Sequence, residues 1–264
     1  MSPPSSARSD LESLLRARKL DNTLPGARSG VTSDDMAVAA TGVASLDARL
    51  GGGFPRGQVS ELVGPRSAGR TSLLIRTLTA ATVRGELVAL VDALDMFDAA
   101  SASAAGLDFD RFLWIRGHLV INPGMCRDLN QRAMEQAIKA LTLVLQAGTC
   151  GLVVLDVADA PREALRRLPF TTWLRLQRVI EGSQTACVLV GGEPMARSSA
   201  GLTLRVACRD QGSGIRGQGS GIGEQKFRGR LFEGLGITAQ VVRARSHARE
   251  EATATFVTAA AHHV

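Results

Sequence analysis

Apolar positions fall into two patterns along the chain. Short continuous apolar runs, bounded by glycine or a carboxylate, predict buried strands at 59–63, 87–92, 112–115, 151–156, 186–190 and 202–208. Between them apolar residues recur at three- and four-residue spacing. That spacing predicts helices over 71–83 (Leu73, Leu74, Ile75, Leu78), 98–105, 128–147 (Met134, Ile138, Leu141, Leu145) and 171–181 (Trp173, Leu176, Ile180). A short helix is also predicted at 45–50, and a basic helical turn at 161–168. Strands alternating with helices predict an α/β fold: a mostly parallel sheet with helices on both faces. Two more strands, at 237–244 and 252–258, extend it as antiparallel strands at the C-terminal end.

Outside this alternation the pattern changes. Residues 1–8 are rich in proline and serine, and Ser9-Asp10-Leu11-Glu12 is a capping box that opens a helix to about Leu20. Leu11, Leu14 and Leu15 form its apolar stripe, and 25–35 has the composition of a linker. The expected organisation is an N-terminal helix with a flexible linker over 1–35 and a core over 36–264. Leu11, Leu14 and Leu15 are then a candidate partner-binding face, unless the helix folds back on its own core. Gln211-Gly212-Ser213-Gly214-Ile215 recurs as Gln218-Gly219-Ser220-Gly221-Ile222, and predicts a Gly-rich loop near 211–223.

The candidate chemistry sits between the first buried strand and the first long helix. Gly64-Pro65-Arg66-Ser67-Ala68-Gly69-Arg70-Thr71-Ser72 has the spacing of the phosphate-binding motif G-x-x-x-x-G-K-[ST], with Arg70 in place of lysine. Backbone N–H groups freed by the glycines and the helix N-terminus would cradle phosphate oxygens. The candidate nucleotide-binding residues are Gly64, Ser67, Gly69, Arg70, Thr71 and Ser72. Asp156, which ends an apolar strand, joins them as a candidate magnesium holder through water. A guanidinium is longer, planar and forked, so Arg70 is not a lysine equivalent.

The block from Thr41 through Gly51-Gly52-Gly53 to Gly57, running into Glu61-Leu62-Val63-Gly64-Pro65, closely resembles the RecA/RadA/KaiC-type ATPase core. The resemblance covers about 41–257 and implies a RecA-like P-loop fold. It also implies roles for single residues. Asp92-Ala93-Leu94 matches a D-A-E string whose glutamate activates water, so Leu94 stands where that base belongs. The aromatic residue that flanks adenine falls at Ser101. Arg243 and Arg245 match lysines that reach a neighbour's ATP, and Arg197 lies in the counterpart of a DNA loop.

These losses resemble those of the ImuA (SulA-like) accessory proteins of SOS-induced mutagenesis. The implied function is a non-catalytic or weakly catalytic adaptor in DNA-damage response and error-prone translesion synthesis. The implied partners are RecA, an ImuB-like polymerase homologue and the error-prone polymerase DnaE2, with single-stranded DNA as a further candidate. ATP is then expected to bind weakly or not at all, and Mg only if ATP binds. The alternatives are a DNA-dependent ATPase or recombinase using Arg70, and a nucleotide sensor without turnover.

Composition narrows these readings. The net charge of +6 favours polyanions or acidic partner surfaces, while aromatics at 4% and the absence of tyrosine supply few stacking faces for single strands. No apolar run reaches the length of a membrane span, and the first residues lack a signal-peptide core, so a cytoplasmic location is expected. Cys126, Cys150, Cys187 and Cys208 show no C-x-x-C pairing and read as free buried thiols.

Overall fold

The computed structural model describes residues 38–118, 127–196, 200–208, 234–244 and 253–259. The N-terminal helix and linker at 1–35 with Leu11, Leu14 and Leu15, together with Cys126, Arg197, Arg245 and the Gly-rich stretch at 211–223, lie outside the described residues.

In chain order, β1 (Val38–Ala39), α1 (Ala44–Leu50) and β2 (Phe54–Pro55) precede β3 (Val59–Val63) and α2 (Arg70–Val83). Then come β4 (Val88–Asp92), α3 (Ala99–Ala104), β5 (Phe112–Arg116), α4 (Arg127–Ala147) and β6 (Leu152–Asp156). The helices α5 (Arg162–Arg166) and α6 (Phe170–Ile180) lead into β7 (Ala186–Gly191), β8 (Leu202–Cys208), β9 (Gly234–Ala244) and β10 (Thr253–Ala259). β1 and β2 form a small antiparallel pair. The main sheet has eight strands in the order β10-β9-β8-β3-β7-β6-β4-β5. From β8 to β5 every pairing is parallel; β9 and β10 are antiparallel additions, as the sequence predicts.

The central strands β3, β4, β6 and β7 are buried on both faces because most of their positions are apolar and successive side chains alternate sides. Val88, Leu90, Leu152 and Val154 face one core with Leu73, Leu74 and Leu78 of α2 and Leu46 and Leu50 of α1. Ala89, Val91, Val153 and Leu155 face the other, with Met134 and Leu141 of α4 and Trp173, Leu176 and Ile180 of α6. Because β3 is central, residues just past its end meet loops from both halves of the sheet. That is where an open parallel sheet forms its crevice.

Two local results differ from the sequence reading. The helix after β3 starts at Arg70 instead of Thr71, which places Arg70 in its first turn. Cys150 and Cys187 are buried free thiols as expected, but Cys208, at the end of β8, is exposed. Alternation breaks there, with Ala207 and Cys208 both exposed. Among the described residues no helix is long and apolar enough to cross a membrane.

Candidate functional site

The loop from Gly64 to Gly69 joins β3 to α2 and is the candidate phosphate cradle. Gly64 passes so close to β8 that a Cβ there would collide with the Val206 carbonyl. Gly69 precedes α2 at φ +88°, where a Cβ would collide with the Ile237 side chain. Ser67 holds a left-handed φ of 59° without glycine's freedom. Thr71 is exposed and Ser72 partly exposed in the first turn of α2. The candidate residues from Gly64 to Ser72 are therefore together at one sheet end.

Arg70 does something the sequence did not show. It is buried, at 6% exposure. Its Nη1 donates to the Ala158 carbonyl at 3.3 Å, and its Nη2 lies 3.6 Å from Asp159 Oδ1. The same carboxylate accepts from Arg66 Nε at 2.8 Å. Asp159 thus ties both arginines of the loop to the turn that follows β6. The signal available in the sequence was a second carboxylate three residues past Asp156, in the same loop.

Asp156 is at the end of β6, two strands from β3, and is the register partner of Asp92 on β4. Its Oδ1 accepts the Ala158 N–H at 2.9 Å. Burial, with the nearby Asp92 and Asp159 charges, pushes its carboxyl up to about 6, against the pull of the Ala158 N–H and the Arg70 charge. Asp92 is itself buried and accepts from Phe97 N–H at 2.8 Å and Trp114 Nε1–H at 3.3 Å.

Leu94, at the position that the resemblance assigns to a water-activating carboxylate, packs its side chain on the α4–α6 core. Asp95, next in sequence, has a left-handed φ of 58° and a two-pronged bond to Arg116 at 2.6 and 2.7 Å. That bond holds its carboxyl below the usual range and directs it to the edge strand β5, away from β3. Ser101 lies in α3, where its backbone N–H is engaged by the Asp98 side chain. Arg243 is exposed on β9, opposite Thr203 of β8.

A nucleotide here would find the candidate cradle and Asp156. Among the described residues it would not find a lysine at position 70, a carboxylate at position 94 or an aromatic face at position 101.

The loops over the sheet end form a half-open cavity of about 710 Å³, lined by Gly64, Pro65, Arg66 and Arg70, the turn after β6 with α5, the turn after β7, and Arg205 of β8. The wall after β7 is held from below. Glu61, fully buried in the middle of β3, accepts Met195 N–H at 2.6 Å and Ala196 N–H at 2.7 Å through Oε1. Its Oε2 accepts the Thr203 hydroxyl at 2.8 Å. The sequence signal for Glu61 was an acidic residue inside an apolar strand.

Comparison with known proteins agrees with this architecture. The chain is 36% identical over 133 residues to Protein RecA of Chlorobaculum parvum, a match covering 48% of this chain and 34% of the relative. It is 41% identical over 130 residues to Protein RecA of Porphyromonas gingivalis, covering 49% and 34%. The matched stretch thus spans about a third of the length of these curated relatives. The crystal structure of the RadB recombinase superposes with a TM-score of 0.56 at 19% identity, over 83% of this chain and 96% of that one, which shows a common fold. The model of the RecA N-terminal domain matches residues 27–165, just over half of the 264 residues, and the chain belongs to that family.

Proposed function

We propose that this chain is a RecA-like adaptor with little or no ATPase activity, acting in the DNA-damage response and error-prone translesion synthesis. In this reading it is close in role to the ImuA accessory proteins, and its partners are RecA, an ImuB-like polymerase homologue and DnaE2. The observation that carries the reading is the state of Arg70. The one cation at the motif's lysine position is engaged by the Ala158 carbonyl and Asp159. A ligand must break that engagement before Arg70 can stabilise transferred charge. Leu94 adds a second loss, since removing a general base costs about 10²–10⁴-fold in rate. ATP binding is accordingly weak or absent, and Mg enters only with ATP, through Asp156. Leu11, Leu14 and Leu15 remain the candidate partner-binding face, and Arg197, Arg243 and Arg245 candidate interface or DNA contacts.

The adaptor reading is tested by affinity purification of the tagged chain from damaged cells, with quantitative mass spectrometry. Enrichment of a RecA-type recombinase or a polymerase homologue over an untagged control is expected. Recovery of neither overturns the partner assignment. A divergent DNA-dependent ATPase or recombinase is the competing reading, and single-stranded-DNA-stimulated ATP turnover would favour it.

A further inference from the structure

The cavity at the sheet end has a chemistry that the nucleotide cradle does not use. Five arginines line it, Arg66, Arg70, Arg162, Arg166 and Arg205, against two carboxylates, Asp159 and Glu193. Both carboxylates are occupied: Asp159 by Arg66 and Arg70, and Glu193 by Arg162 at 2.7 Å. Arg166 on α5 and Arg205 on β8 are exposed and carry no ion pair among the described residues. They come from different elements that line the cavity. The lining also includes the apolar side chains of Leu165, Leu168, Phe170 and Met195.

We infer that this cavity is a docking site for an acidic peptide segment of a partner protein, one that carries an apolar anchor residue between carboxylates. Three features select that occupant. Guanidinium forks on separate elements match carboxylates at separate positions, each bound two-pronged. The apolar lining supplies a pocket for an anchor, the arrangement that carries most of the energy in peptide recognition. Single-stranded nucleic acid fits less well, because its bases need open aromatic faces. Trp173 is only 3% exposed, so its ring is spent on the core. The volume of about 710 Å³ suits a few side chains.

This inference deepens the adaptor reading by naming the chemistry of a partner segment. Arg166 is on α5 and Arg205 on β8, so binding calls on neither Leu94 nor Asp156.

The test is fluorescence anisotropy of a labelled peptide with alternating glutamate and leucine, titrated with the full chain. The Arg166→Glu/Arg205→Glu variant is run beside it. Both side chains are exposed, so the variant should keep its unfolding midpoint, which is measured as a control. Saturable binding that weakens about tenfold or more in the variant, and in a peptide with glutamine for glutamate, is expected. Replacing leucine by serine should weaken it comparably. Absence of saturable binding, or equal binding by the variant, overturns the inference. So does tighter binding of an oligo-dT probe that the same variant abolishes, which would make the cavity a nucleic-acid site. None of these outcomes depends on partner recovery from cells, so the inference and the adaptor reading fail separately.

Discussion

Replacing Glu61 tests whether the wall of the cavity is fixed by the strand beneath it. Glu61 is fully buried and its carboxylate accepts three donors from 2.6 to 2.8 Å, two of them backbone N–H groups of the turn after β7. Glu61→Ala leaves the Met195 and Ala196 N–H groups and the Thr203 hydroxyl without their acceptor. Each such loss costs about 1–3 kcal/mol when no water reaches the group. Relief of the carboxylate's own burial and partial relaxation of the turn offset part of it. A net destabilisation of about 3–5 kcal/mol follows, a large share of a domain's stability. Glu61→Gln keeps one oxygen for the two N–H groups, and the Thr203 hydroxyl can turn to accept from the amide, so about 1–2 kcal/mol is expected. Urea unfolding of both variants reads these values, provided the m-values agree with that of the natural chain. An Ala variant within about 1 kcal/mol of the natural chain would refute the reasoning, as would a Gln variant as unstable as the Ala variant.

Other parts of the site make separate claims. Asp156→Asn should stabilise the chain above pH 6, because the folded carboxyl sits at about 6 against an ordinary value near 4. The charged form is the one the fold disfavours, so the natural chain loses stability as pH rises from about 4 to 6. The gain in Asn should be on the order of 3 kcal/mol at pH 7 and vanish below pH 4, as read from unfolding midpoints; a pH-independent difference would contradict the burial account. Asp95→Asn should leave the unfolding midpoint near that of the natural chain, since its partner Arg116 is exposed on the edge strand. A large loss would mean that the pair supports the sheet edge. Thiol labelling of the folded chain, mapped by mass spectrometry, should modify Cys208 and spare Cys187, which burial pushes up to about 12. Rapid labelling of Cys187 would show that the sheet opens at β7.

The fold was legible because its strands are continuous apolar runs and its helices keep one apolar face. The two antiparallel strands at the C-terminal end were legible too, with β9 starting at Gly234 instead of 237. The loop from Gly64 to Gly69 could be placed between a strand and a helix from spacing alone, whereas the close contacts with β8 and β9 that exclude a side chain at Gly64 and Gly69 could not. What could not be read was the fate of the charges. Arg70 and Asp159 are 89 positions apart, and nothing in either segment names the other. Arg205 and Arg166 come from different elements and meet only around a cavity. Glu61 was visible as an acidic residue in an apolar strand, but its three donors come from 134 to 142 residues further along the chain. Local patterns specify elements; pairings across the sheet end need the folded chain.

The most direct test of the account is ATP binding by calorimetry, and hydrolysis with and without single-stranded DNA. It compares the natural chain, Arg70→Lys, and Arg70→Lys with Leu94→Glu. If Arg70 is held by Asp159 and the base is missing, the natural chain shows weak or no binding and no DNA-stimulated turnover. The double variant then gains measurable binding. Saturable, DNA-stimulated hydrolysis by the natural chain, lost in Arg70→Ala, would contradict the account and make this a working ATPase.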